Sequence, residues 1–165
     1  MPSVWTIGYE GRAQYDVLRL LSEAGIDRLI DVRIRAQSRK PGFSKSTLAA
    51  GLADAGIEYE HLRALGTPID IRAEFRAGGA RLPGAREQYR AYLREDSAAQ
   101  HELAVLAERI EAERVAMLCF ELDPRTCHRM VLCEELATRS APAGDVPAGD
   151  APAGAALDVT HLGAP

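Results

Sequence analysis

With 165 residues, 47% of them hydrophobic, and a net charge of −4, the chain can bury the core of one domain and is too acidic overall to wrap duplex nucleic acid as a polycation. Three cysteines do not make a secreted disulfide framework, so a reducing cytoplasm is expected. No apolar run can cross a bilayer and no leader pattern precedes Val4-Trp5, so no membrane partner is expected.

Val4-Trp5-Thr6-Ile7 is β-prone and ends in the turn Gly8-Tyr9-Glu10-Gly11. Val17, Leu18, Leu20 and Leu21 then repeat at helical spacing, and Gly25 closes that helix. Arg28-Leu29-Ile30-Asp31-Val32-Arg33 reads as a second buried strand, which completes a β–α–β unit with two parallel strands. Residues 34–43 form a basic loop. Ser44 begins a helix carrying Leu48 and Leu52, and residues 57–62 form a third strand with His61 near its end. Residues 63–83 show no clear periodicity and read as a long irregular segment. Helices are predicted over 84–93 and 98–112, a fourth strand over 115–120, and a helix over 124–138 started by Asp123-Pro124. A five-residue Ala-Pro-Ala-Gly-Asp-type repeat follows, from Ala141-Pro142-Ala143-Gly144-Asp145 onward, and reads as a flexible linker over 140–156. Leu157-Asp158-Val159-Thr160-His161-Leu162 alternates like an edge strand returning to the sheet. The fold expected is a single three-layer α/β domain spanning 1–165. Its mostly parallel sheet has about five strands, helices cover both faces, and the last strand follows the flexible loop.

In such a sheet ligands bind where the strands end. The strand ends here supply Tyr9 and Glu10; Arg33, with Ser38 in its loop; His61; and Glu121, Cys127, His128 and Arg129. Cations beside a helix start suit an anion, and they also lower a thiol's pKa. Cys127 is the candidate nucleophile, while Glu10, His61 and His128 are candidate proton-transfer groups. Tyr9, Arg33, Ser38, Glu121 and Arg129 are candidate substrate contacts, and Arg33 reads equally as a structural salt-bridge partner of Glu10 or Asp31. Cys127 also reads as a small buried hydrophobe, and a Cys119–Cys127 redox pair lacks C-x-x-C spacing. Zinc is not expected, because neighbours on a helix such as Cys127 and His128 diverge by about 100°. Nucleotide fingerprints of the G-x-G-x-x-G and P-loop types are missing, so no cofactor is expected.

Thr6-Ile7-Gly8-Tyr9-Glu10-Gly11, Leu29-Ile30-Asp31-Val32-Arg33, Ser38-Arg39-Lys40-Pro41-Gly42-Phe43-Ser44-Lys45, Tyr59-Glu60-His61-Leu62 and Cys119-Phe120-Glu121 with Cys127-His128-Arg129 occur in that order. Together they resemble the bacterial and archaeal proteins grouped as domain of unknown function 488. The resemblance implies a compact α/β domain and brings no settled reaction. The expected function is an enzyme acting on a phosphate-bearing or other anionic substrate, a small anion or nucleotide, with nucleic acid also open. The alternative is a non-catalytic nucleotide- or nucleic-acid-binding module. Aromatic residues, at 5%, are too sparse for a base-stacking platform.

Overall fold

The computed structural model describes residues 1–139 and 157–164. Five strands, β1 (Ser3–Gly8), β2 (Arg28–Asp31), β3 (Glu58–His61), β4 (Val115–Cys119) and β5 (Asp158–Leu162), form one sheet in the order β3-β2-β4-β1-β5. Every pairing is parallel, and β5 is an edge strand beside β1. The strands alternate with α1 (Gln14–Glu23), α2 (Lys45–Asp54), α3 (Ile69–Ala77), α4 (Leu82–Glu95), α5 (Ser97–Ala112) and α6 (Arg129–Arg139). The α/β domain expected from the sequence is therefore present. The 140–156 repeat, read as a linker, lies outside the described residues.

The period-2 geometry of β4 divides the core. Val115, Met117 and Cys119 face a cluster built with Leu93, Leu103, Leu106 and Leu132, from α4, α5 and α6. Ala116 and Leu118 face the opposite cluster, built with Val17, Leu21, Leu48 and Leu52 from α1 and α2. All five β4 residues are buried, which explains its continuous apolar run.

Two segments depart from the sequence reading. Residues 63–83 are not irregular: they hold short 3-10 turns and α3. The helix has one buried pair, Ile71 and Phe75, four residues apart, each contributing roughly 1.5–3 kcal/mol by burial. Apolar and charged residues alternate from Ile69 to Arg76, and that alternation masks the pair's helical spacing. Nor is 124–138 a single helix. Asp123 caps a 3-10 turn, Pro124–Thr126, by accepting from the Arg125 amide; Cys127 is extended (φ −121°, ψ 152°), and α6 begins at Arg129. The Asp-Pro signal thus started the turn, not the helix.

The topology also fixes where a crevice opens. The connections leaving β1 and β2 pass to the α1/α2 face, whereas the one leaving β4 passes to the α6 face. Neighbouring strands β2 and β4 therefore send their chains apart, the switch point at which open parallel sheets bind ligands.

Candidate functional site

The register sets Gly8 beside Cys119, and Asp31 beside both Leu118 and His61. Two glycines let the loops beyond these ends close together. A Cβ on Gly8 would lie 1.9 Å from the Glu121 carbonyl oxygen, and one on Gly66 would lie 2.2 Å from the Ile34 amide nitrogen. Backbone occupies both places, so no side chain fits there.

Asp31 is fully buried. Its carboxylate accepts from Arg33 Nε (2.8 Å) and Nη2 (2.6 Å) and from the Tyr59 hydroxyl (2.7 Å). Arg33 Nη1 donates to the Tyr9 hydroxyl (3.1 Å) and the Phe43 carbonyl (2.9 Å). Burial opposes the Arg33 charge, but Asp31 outweighs it and raises the pKa. Tyr9 stacks on Phe43 at 4.3 Å and meets Phe120 edge-on. Arg33 thus fixes one wall, with its fork already engaged by the protein.

The opposite wall is a cluster of sulfur and imidazole. His128 Nε2 donates to the Val32 carbonyl (3.0 Å), which turns Nδ1 toward Cys127 Sγ (3.5 Å) and Cys119 Sγ (3.8 Å). Arg129 Nε donates to Cys127 Sγ (3.3 Å), and its Nη2 donates to the Glu121 carbonyl. The Cys119 thiol donates to Glu121 Oε2 (3.1 Å). Burial would push the Cys127 thiol up, but the Cys119 thiol, His128 and Arg129 together hold it well below the ordinary thiol range. Cys119 goes the other way, kept protonated by its neighbour Cys127 and by burial. Burial opposes charge on His128 as well, and Cys127 overcomes it. Glu121 is pushed up, first by burial and then by the charge on Cys127. The arrangement favours a thiolate at Cys127, facing His128 and Arg129, and a protonated thiol at Cys119.

Between the two walls lies a cavity of about 240 Å³. Of the residues singled out from the sequence, Tyr9, Arg33, Ser38, Glu121, Cys127 and His128 line it. Arg129 supports Cys127 from beneath and is 1% exposed. Two candidates stand away from the lining. Glu10 is exposed and accepts from the Leu122 amide (3.0 Å), tying the loops after β1 and β4 together. His61 Nε2 donates to the Arg33 carbonyl (2.7 Å) and so fixes the backbone of that wall.

Reading from the sequence missed the roof. Arg72 and Arg76, one turn apart on α3, line the cavity with Phe75 and Thr67. Arg35 and Arg39, which the sequence offers as a phosphate-contacting patch or a solvated basic loop, join them from the loop after β2. None of these four guanidinium groups has a hydrogen bond or ion pair among the described residues. The available signal was Arg72-x-x-x-Arg76 bracketed by Pro68 and Gly78, a helix start and stop around two cations on one face. Engaged arginines thus build the walls, and unpaired ones surround the opening.

Among the described residues, Cys119, Cys127 and His128 are grouped as metal ligands would be, their donor atoms within 4.8 Å of one another. The expected divergence of Cys127 from His128 does not arise, because neither lies within α6. No helix among the described residues is long and apolar enough to cross a membrane.

No curated protein and no solved structure matches the chain. Residues 14–136 match the family described as Domain of unknown function DUF488, a span that holds both β2 and β4 and every cavity residue but Tyr9. The chain belongs to that family.

Proposed function

We propose that the protein is an enzyme acting on a phosphate-bearing or otherwise anionic substrate, with Cys127 as its nucleophile. The observation that carries this reading is the ring of unpaired arginines, Arg35, Arg39, Arg72 and Arg76, around a cavity that Cys127 lines. Unpaired guanidinium groups beside a closed pocket suit a ligand whose oxygens take two donors at once. For a phosphate ester, Cys127 Sγ attacks phosphorus and forms an S–P bond while the ester oxygen leaves with a proton. Glu121, whose pKa is pushed up first by burial, gives that proton. Water then cleaves the S–P bond, returning the thiolate and releasing phosphate. His128 and Arg129 hold the sulfur as thiolate in its resting state.

Turnover of a panel of nucleotides and phosphate monoesters by metal-free protein tests this. Cys127→Ser is expected to abolish turnover and retain phosphate binding. Arg72→Gln or Arg76→Gln is expected to raise KM about 10-fold, the loss of one charge-assisted hydrogen bond. Turnover that survives Cys127→Ser overturns the nucleophile.

The burial of Cys127, 1% exposed, favours a second reading: a non-catalytic module that binds nucleotide or nucleic acid through the same arginines. It predicts binding that weakens steeply with salt, and no turnover of any substrate in the panel.

A further inference from the structure

We infer that Cys119, Cys127 and His128 also form a site for a soft divalent cation such as Zn²⁺, and that filling it takes the Cys127 sulfur out of reaction. The second clause rests on the proposed nucleophile; the site itself does not.

Two independent features point to a metal. The first is spacing. Zn–S of about 2.3 Å and Zn–N of about 2.0–2.1 Å at tetrahedral angles put nitrogen and sulfur about 3.6 Å apart. His128 Nδ1 lies 3.5 Å from one sulfur and 3.8 Å from the other. Both separations match edges of one coordination tetrahedron. The second is the imidazole. Its Nε2–H is committed to the Val32 carbonyl at 3.0 Å, which aims Nδ1 at both sulfurs. That is the outer hydrogen bond that metal-ligating histidines ordinarily make. Charge also balances once the ion binds: with the Cys119 proton displaced, two thiolates face the divalent ion and Arg129. Glu121 touches Cys119 Sγ but stands outside the three grouped donors, which leaves the fourth position to water.

The binding step involves no change of oxidation state. The ion takes one lone pair from each sulfur and one from Nδ1. The protons displaced from Cys119 and from Nδ1 pass to solvent. The Cys127 lone pair that would attack phosphorus is then shared with the metal, so attack stops.

The test titrates metal-free, fully reduced protein with Zn²⁺ against a chromophoric chelator, and with Co²⁺ to read sulfur-to-cobalt charge-transfer absorption. One ion per chain is expected, with that absorption and with proton release. Cys119→Ser is expected to weaken binding about 100-fold or more, since even second-shell losses reach that range. Cys133→Ser, outside the group, is expected to leave it unchanged. Zn²⁺-loaded protein is expected to resist alkylation of Cys127 by iodoacetamide. Failure to compete with the chelator overturns the site, and so does equal affinity in Cys119→Ser. Should that variant not fold, a wild-type Co²⁺ complex without charge-transfer absorption overturns it alone. The alkylation rate of the metal-free protein judges the nucleophile separately, so either reading can fail without the other.

Discussion

The chemistry of Cys127 is set by three neighbours and opposed by its own burial. Arg129 and His128 stabilise the charge on sulfur, and the Cys119 thiol adds to them. A depressed pKa means that thiolate persists through neutral pH and is lost only on acidification. In metal-free protein the alkylation rate is therefore expected to be level across neutral pH and to fall below it. The ordinary thiol would rise instead near pH ~8.5. Arg129→Met is expected to move the profile up toward that value, because it removes a cation and leaves the burial. The linkage has the same sign: thiolate contributes stability above the unfolded thiol's pKa and withdraws it as pH falls through the depressed value. Cys133, which burial pushes up to about 12, is expected to stay unreactive throughout. Most of these working side chains were legible in the sequence because they sit at strand ends, where topology alone gathers them. Their division of labour was not. Arg33 read equally as an anion contact and as a structural partner of Glu10 or Asp31, and it spends its fork on Asp31, Tyr9 and Phe43.

At the scale of elements, β2 is held by that buried pair and β4 by its apolar burial. Asp31→Ala would leave Arg33, 6% exposed, without its counter-charge. It is expected to destabilise the fold by about 3–5 kcal/mol in chemical denaturation. Gly66→Ala must displace the backbone at Ile34, and an expected loss of about 1–3 kcal/mol would come with a distorted cavity. The strands, α1 and α5 were readable because each carries several apolar residues at one period, and α2 because Ser44 starts it ahead of its Leu48–Leu52 pair. Helix α3 was not, since apolar and charged residues alternate from Ile69 to Arg76 and hide its Ile71–Phe75 pair. Missing α3 meant missing Arg72 and Arg76. The start of α6 was misplaced for a different reason. Asp123 and Pro124 satisfy the same backbone needs in a 3-10 turn as in a helix. That difference leaves Cys127 extended and lets it share His128 with Cys119.

For the whole molecule, net charge and local charge point in opposite directions. The chain is acidic, at −4, while one mouth of the sheet gathers unpaired arginines. A small anion entering that mouth is attracted locally, and its affinity is expected to fall as added salt screens the exposed arginines. A long duplex would meet the acidic remainder as well. The doubly wound topology makes this separation possible: β4 sends its chain to one face, β2 to the other, and the gap between them is where the arginines converge. One measurement tests anion binding and the reactive sulfur together: the rate of Cys127 alkylation by iodoacetamide in metal-free protein at neutral pH, with and without inorganic phosphate. The expected rate exceeds that of a free thiol and is slowed by phosphate, with the protection lost in Arg72→Gln and Arg76→Gln. A rate no faster than a free thiol's, unchanged by phosphate, would contradict both.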